Sequence, residues 1–216
     1  MLTGLYLYMK KIKMESQNKY LGDDKFKKFL EHYNCPTPLE IVKLRFIGSI
    51  CSPNLELRPT DVISSFWEQG KAPRLETKDE ADLFFKFFMG LWDEMFQLIT
   101  QNKVKLSPVG SKLTTKEGIK TLCAMRYSEI EAGFVEGFWG GKEDLKLQAY
   151  LAEIIDSLSE MASVYNTLAK KLDKSENIAE ISKHLVYTDT MVEKAIAFII
   201  ENSVLPRIET LKRVVH

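Results

Sequence analysis

Residues 77–96, TKDEADLFFKFFMGLWDEMF, decide the fold. Thr77 followed three positions later by Glu80 marks a helix start, because each side chain can take an amide that the first turn leaves without a partner. From Lys78 to about Gln101, residues Leu83, Phe84, Phe87, Phe88, Leu91, Trp92, Met95 and Ile99 recur at helical spacing. A face that broad predicts a helix buried around most of its circumference. Five of the twelve phenylalanines fall between Phe84 and Phe96. This helix is therefore expected to be the wall on which the others pack, with Trp92 in the centre of the core.

Upstream, the pattern stays helical. Asp23 or Asp24 can cap DDKFKKFLEHY, which places Phe26, Phe29 and Leu30 on one face. Thr37-Pro-Leu-Glu40 reads as a second capping box with a proline that suits a first helical turn. Its helix runs to Cys51, where Ser52-Pro53 stops it. Pro59-Thr-Asp61 opens a third helix carrying Val62, Ile63, Phe66 and Trp67, closed at Gly70. Lys71 to Glu76 is a linker.

Downstream, residues 102–117 form the longest loop. A helix from about Ile119 to Trp139 contains Gly133-Phe-Val-Glu-Gly137, two glycines one turn apart that would admit a close neighbour. The expected neighbour is the aromatic helix, at Phe88 and Trp92. Gly140-Gly141 ends the run. An amphipathic stretch from Glu143 to Leu172 follows, then a short segment from Glu176 to His184. Thr190-Met-Val-Glu193 reads as the capping box of a last helix that Pro206 kinks or restarts. No segment alternates with hairpin turn chemistry. The expectation is an all-α, compact bundle of about seven to eight helices, formed by a single domain over residues 21–216.

Bulk composition narrows the function. A chain of 216 residues with thirty basic and thirty acidic side chains lacks the concentrated basic face that nucleic-acid binding needs. MLTGLYLYMKKIKM places its lysines after the apolar run, and that run is about half of what a spanning helix requires. Residues 1–20 are therefore expected as a weakly ordered tail, with no membrane segment. The three cysteines, odd in number and without a C-x-x-C pair, read as reduced thiols of a cytoplasmic protein.

SICSPNLELRPTDVISSFWEQGKAPRLETKDEADLFFKFF, residues 49–88, resembles the N-terminal half of the YecA/YgfB-like bacterial proteins. There, too, a helix ends in a Ser-Pro or Gly-Pro turn. A proline-started helix closing on a tryptophan and an acidic-capped helix follow. Gly133 to Gly137 with the acidic residues after it is similar to the family's second block, so the resemblance covers roughly residues 38–205. It implies an all-α fold and brings no established activity. Two departures matter. Lys43-Leu44 stand where many members carry an acidic residue or histidine before glycine, and the cysteine-rich zinc-binding tail of YecA is absent.

No catalytic motif stands out. His32, His184 and His216 are far apart and outside any metal-ligand spacing, so no metal and no cofactor is expected. Cys51 at a helix C-terminus and Cys123 in an apolar run read as core residues, since neither position favours a thiolate. Asp93 with Glu94, and Glu129, Glu136 and Glu143 at spacings of seven, are the carboxylate candidates for acid–base work; a solvated helix face explains them too. Trp67, Trp92, Gly133 and Gly137 are expected to serve packing. Phe85, off the main face, and Trp139, at a helix end, are the expected partner contacts.

The leading expectation is a non-enzymatic protein-interaction or regulatory module that meets an unidentified protein partner, a homodimer being one form of this. The alternative is an enzyme or small-ligand binder with a helical pocket near Glu129, Glu136 and Tyr127.

Overall fold

The computed structural model describes residues 19–142, 144–174 and 177–214. Among them the chain is all-helical, seven helical runs and two short 3-10 turns with no strand. Helix α1 spans Asp23–His32, α2 Leu39–Cys51, α3 Pro59–Ser64 and α4 Lys78–Thr100. Helix α5 (Lys116–Ser128) continues through a π-helical stretch, Glu129–Val135, into one last turn, α6 (Glu136–Trp139). Helix α7 spans Ala149–Lys174. Helix α8 (Ile178–Ile199) passes through a second π stretch, Ile200–Val204, into α9 (Leu205–Val214). Of the expected tail, only Lys19 and Tyr20 lie within the described residues. There the Tyr20 hydroxyl donates to Asp23 at 2.7 Å.

The aromatic residues gather as their spacing predicts. Phe88 is fully buried, stacked on Phe66 at 5.7 Å and edge-on to Phe26 at 5.3 Å. Trp92 meets Phe46 edge-on at 5.1 Å, and the Trp67 indole donates to the Tyr33 carbonyl at 3.1 Å. Each such ring pair adds about 0.5–1.5 kcal/mol beyond its buried area. This cluster joins α1, α2, α4 and the turn that follows α3.

The central element, however, is α2 and not α4. Ten of its thirteen residues are buried, including Arg45, Gly48 and Ser49, and it packs against both the aromatic cluster and the stretch from Glu129 to Trp139. Glycines make the second contact possible. A Cβ on Gly137 would fall 2.2 Å from the Arg45 carbonyl oxygen, and one on Gly48 would fall 2.1 Å from that of Phe134. A Cβ on Gly133 would meet the Leu44 side chain at 2.8 Å. The neighbour of the glycine pair is thus α2, where Phe88 and Trp92 were expected.

Helix ends differ from expectation where tertiary partners outbid local ones. The capping box at Thr37–Glu40 does not form. The Thr37 hydroxyl donates to the Phe66 carbonyl at 2.7 Å, and Glu40 pairs with Lys27 at 2.8 Å. Thr77 does accept from the Glu80 amide at 3.1 Å. Helix α3 stops at Ser64, so Phe66 and Trp67 reach the core from the turn beyond it. Helix α7 starts at Ala149, six residues after the predicted start at Glu143, which lies outside the described residues.

Thr190 starts no helix, since α8 runs through it, capped instead by Asn177. Its hydroxyl donates to the Val186 carbonyl one turn back, Asp189 is held by Arg126 and Tyr165, and Glu193 reaches Lys105 and the Leu106 amide. Pro206 neither breaks nor sharply ends the chain's last run. It has no N–H for the Asn202 carbonyl four residues back, and the Tyr150 hydroxyl donates to that carbonyl at 3.3 Å.

Candidate functional site

Most of the polar groups in the interior gather on three arginines. The largest network lies where the 101–109 loop, α5, α7 and α8 converge. Arg126 is 1 % exposed and Glu129 fully buried. The Arg126 Nε donates to both Asp189 oxygens at 3.1 Å. One terminal nitrogen reaches Glu129 at 2.6 Å and the Ser107 hydroxyl at 2.9 Å. The other reaches Asp189 at 3.0 Å and the Ser107 carbonyl at 2.6 Å.

The outer shell closes this network. The Ser107 hydroxyl donates to Glu129, and the buried Tyr165 hydroxyl donates to Asp189 at 2.7 Å. Burial opposes the Arg126 charge, but Glu129 and Asp189 outweigh it and hold the guanidinium above its ordinary pKa. Burial, with Asp189 beside it, pushes the Tyr165 hydroxyl far up, so it stays a donor. Every guanidinium hydrogen has an acceptor here. An ion cluster so enclosed fixes the loop to three helices and offers no face to a substrate.

Arg45 makes a second hub. The Glu136 amide bonds to the carbonyls of Glu131 and Gly133 and skips that of Ala132. That carbonyl instead accepts from Arg45 Nε at 2.8 Å and from a terminal nitrogen at 2.6 Å, so the arginine satisfies an oxygen that the π turn displaces. Arg45 also reaches Ser65 and the Glu136 carboxylate, the latter at 2.9 Å. Arg207 is the third. It donates to the carbonyls of Ile50 and Ser52 at 3.0 and 2.7 Å, satisfying the C-terminal end of α2 from the far end of the chain.

The carboxylates and tyrosine of the enzymatic alternative therefore do not meet. Glu129 sits under Arg126 and Ser107. Glu136 stands against Arg45 with its side chain 56 % exposed, and Tyr127 is exposed on another side of α5. Asp93 is half-buried, and burial pushes its carboxyl up to about 6. Cys51 and Cys123 are fully buried; burial pushes their thiols up to about 12 and about 11, against nucleophilic use. Among the described residues no three His, Cys, Asp or Glu side chains are placed to hold a metal ion. His216 lies outside those residues.

At the surface, Phe85 is 42 % exposed and Leu83, two residues before it on the same helix, is exposed too, while Trp139 is half-buried against Phe138. A second group of exposed apolar side chains lies elsewhere. Val164 of α7 and Tyr187, Met191 and Phe198 of α8 are all exposed. The three α8 residues recur at i, i+4 and i+11, a stripe separate from the buried one through Leu185, Val192 and Ile196. Dividing α8 at Thr190 conceals this stripe, because its upper and lower halves then belong to different helices. Reading Tyr187 to Phe198 as one helix reveals it.

No helix among the described residues is long and apolar enough to cross a membrane. No protein-family model, no curated protein and no solved structure matches the chain.

Proposed function

We propose that this chain is a non-enzymatic protein-interaction or regulatory module of the cytoplasm that presents the outer face of α7 and α8 to a protein partner. The carrying observation is the division of labour between interior and surface. Arg126, Glu129, Asp189, Tyr165 and Arg45 bond to one another or to the backbone, which is structural work. Four exposed apolar side chains, Val164, Tyr187, Met191 and Phe198, instead lie on two neighbouring helices, and exposed apolar groups gathered in one region mark interaction sites. Kinship with the YecA/YgfB-like proteins belongs to the same reading. It rests on the quoted residues 49–88 and the paired glycines.

The test is affinity capture from the native source with two baits, the unaltered chain and a Tyr187→Asp/Met191→Asp variant, beside a broad hydrolase screen. Both changed residues are exposed, so circular dichroism of the variant should match that of the parent. The expected result is a protein retained by the parent and lost by the variant, with no turnover. Turnover that Glu136→Gln or Tyr127→Phe abolishes, with no captured protein, would overturn the proposal in favour of the enzymatic alternative.

A further inference from the structure

Resting on that reading of the α7–α8 face, we infer that its partner is a second copy of this chain, docked about a two-fold axis near Val164. Helices α7 and α8 run antiparallel, since Tyr165 of α7 meets Asp189 of α8 while Tyr150, earlier in α7, meets Phe198, later in α8. The Tyr165–Asp189 bond and the ring contact between Tyr150 and Phe198 at 6.3 Å fix their register. Val164 therefore stands level with Tyr187 and Met191, midway along the face.

Charge is arranged about that midpoint. Along α7, Glu153, Glu160, Val164 and Lys171 follow one another at +7, +11 and +18, all on one exposed line. A second α7 laid antiparallel across Val164 brings residue 171 of one copy opposite residue 157 of the other. Lys171 then falls between Glu153 and Glu160 of its neighbour, one turn from each, and the symmetry repeats the contact. An isologous interface requires this kind of self-complementarity, and two like faces without it would repel. The apolar groups of α8 flank the axis on both sides.

The dimensions suit a modest association. From residue 153 to residue 171 is about 27 Å of helix, and two adjacent helices offer about 20 Å of width. Roughly 500 Å² per copy gives about 1,000 Å² in total, the lower edge of a specific interface. The dimer is thus expected to form reversibly with concentration. Lys194, exposed between Met191 and Phe198 on the acidic half, is the cation out of place, and it predicts its own test.

Sedimentation equilibrium of the full chain over a range of concentrations reads this out. The expected result is a monomer–dimer equilibrium whose dissociation constant rises about three- to tenfold with Lys171→Glu, and likewise with Glu153→Lys/Glu160→Lys. Mixing the two charge-reversed proteins should restore association, and Lys194→Glu should tighten it. All these positions are exposed, and unchanged thermal melts establish that each variant folds. Two outcomes overturn the inference: a monomer at every concentration, or a dimer indifferent to Lys171→Glu and to mixing. A monomer that still captures a different protein, lost with Tyr187→Asp/Met191→Asp, defeats the self-association and leaves the interaction reading standing. A monomer that captures nothing defeats both.

Discussion

Gly137→Ala should destabilise the protein although it improves the helix. Taken alone, the change favours the α-helical state by about 0.8–1 kcal/mol, since glycine is the poorer helix former. In the folded chain the new Cβ would lie 2.2 Å from the Arg45 carbonyl oxygen and 2.9 Å from the Arg45 Cα. Both are backbone atoms of a helix buried on nearly all sides, so neither can turn aside as a side chain would. Restoring a contact of about 3.4 Å means moving α2 outward by roughly 1 Å, against the aromatic cluster on its far side. Overpacking on that scale costs about 1–3 kcal/mol, and interiors this dense transmit the strain.

Clash and propensity together predict a loss of up to about 2 kcal/mol, a fall of several degrees in the melting midpoint for a chain of this length. Gly48→Ala presses on the same joint from the other helix, where its Cβ meets the Phe134 oxygen at 2.1 Å. Because one displacement relieves both clashes, the double variant should lose less than the sum of the single ones. Thermal melts of the three variants decide the matter. A rise in midpoint for Gly137→Ala, or strict additivity, would refute the close approach of α2 to the π-helical segment.

Other outcomes follow from the same structure. Glu129→Ala should cost about 3–5 kcal/mol by chemical denaturation, because it leaves the buried Arg126 guanidinium short of a counter-charge. Thr190→Ala should cost less than about 0.5 kcal/mol, as expected of an exposed mid-helix position; an N-cap would lose about 0.5–2 kcal/mol. Trp92→Ala should cost about 3–5 kcal/mol as a core deletion. The raised Asp93 carboxyl means that the folded chain still binds a proton which the unfolded chain, near 3.8, has released. Between about pH 4 and pH 6 this group makes stability fall as pH rises. Asp93→Asn should remove that slope and stabilise the protein above pH 6, as read by melts across the range.

The helical class and the aromatic cluster were legible in the sequence because both rest on spacing. Phe84, Phe88 and Trp92 declare a buried face whatever the rest of the chain does. The centrality of α2 was harder to read. Arg45, Gly48 and Ser49 interrupt its apolar pattern; the first two are buried for reasons that lie far along the chain, the Ala132 carbonyl and the Phe134 backbone, while the Ser49 hydroxyl donates to the Arg45 carbonyl one turn back. The arginine networks were illegible for the same reason. Arg126, Glu129 and Asp189 look like ordinary helix-surface charges until the 101–109 loop brings Ser107 among them. Thr37 and Thr190 show the complementary failure, since their local capping signals lost to tertiary or one-turn-back partners. Glu129 and Glu136, equivalent by spacing, part company because the π stretch between them rotates one inward and leaves the other against Arg45.

Native-state hydrogen exchange, resolved by segment, tests most directly the claim that α2 is the axis on which both halves of the chain are built. Amides of Leu39–Cys51 and of Glu129–Val135 should exchange together and slowest, only through global unfolding, whose free energy chemical denaturation supplies independently. Outer turns of α7 and α8 should exchange by smaller openings. If α2 instead exchanges well before α4, the helix is peripheral, and the account of the glycine contact and the Arg45 hub fails with it.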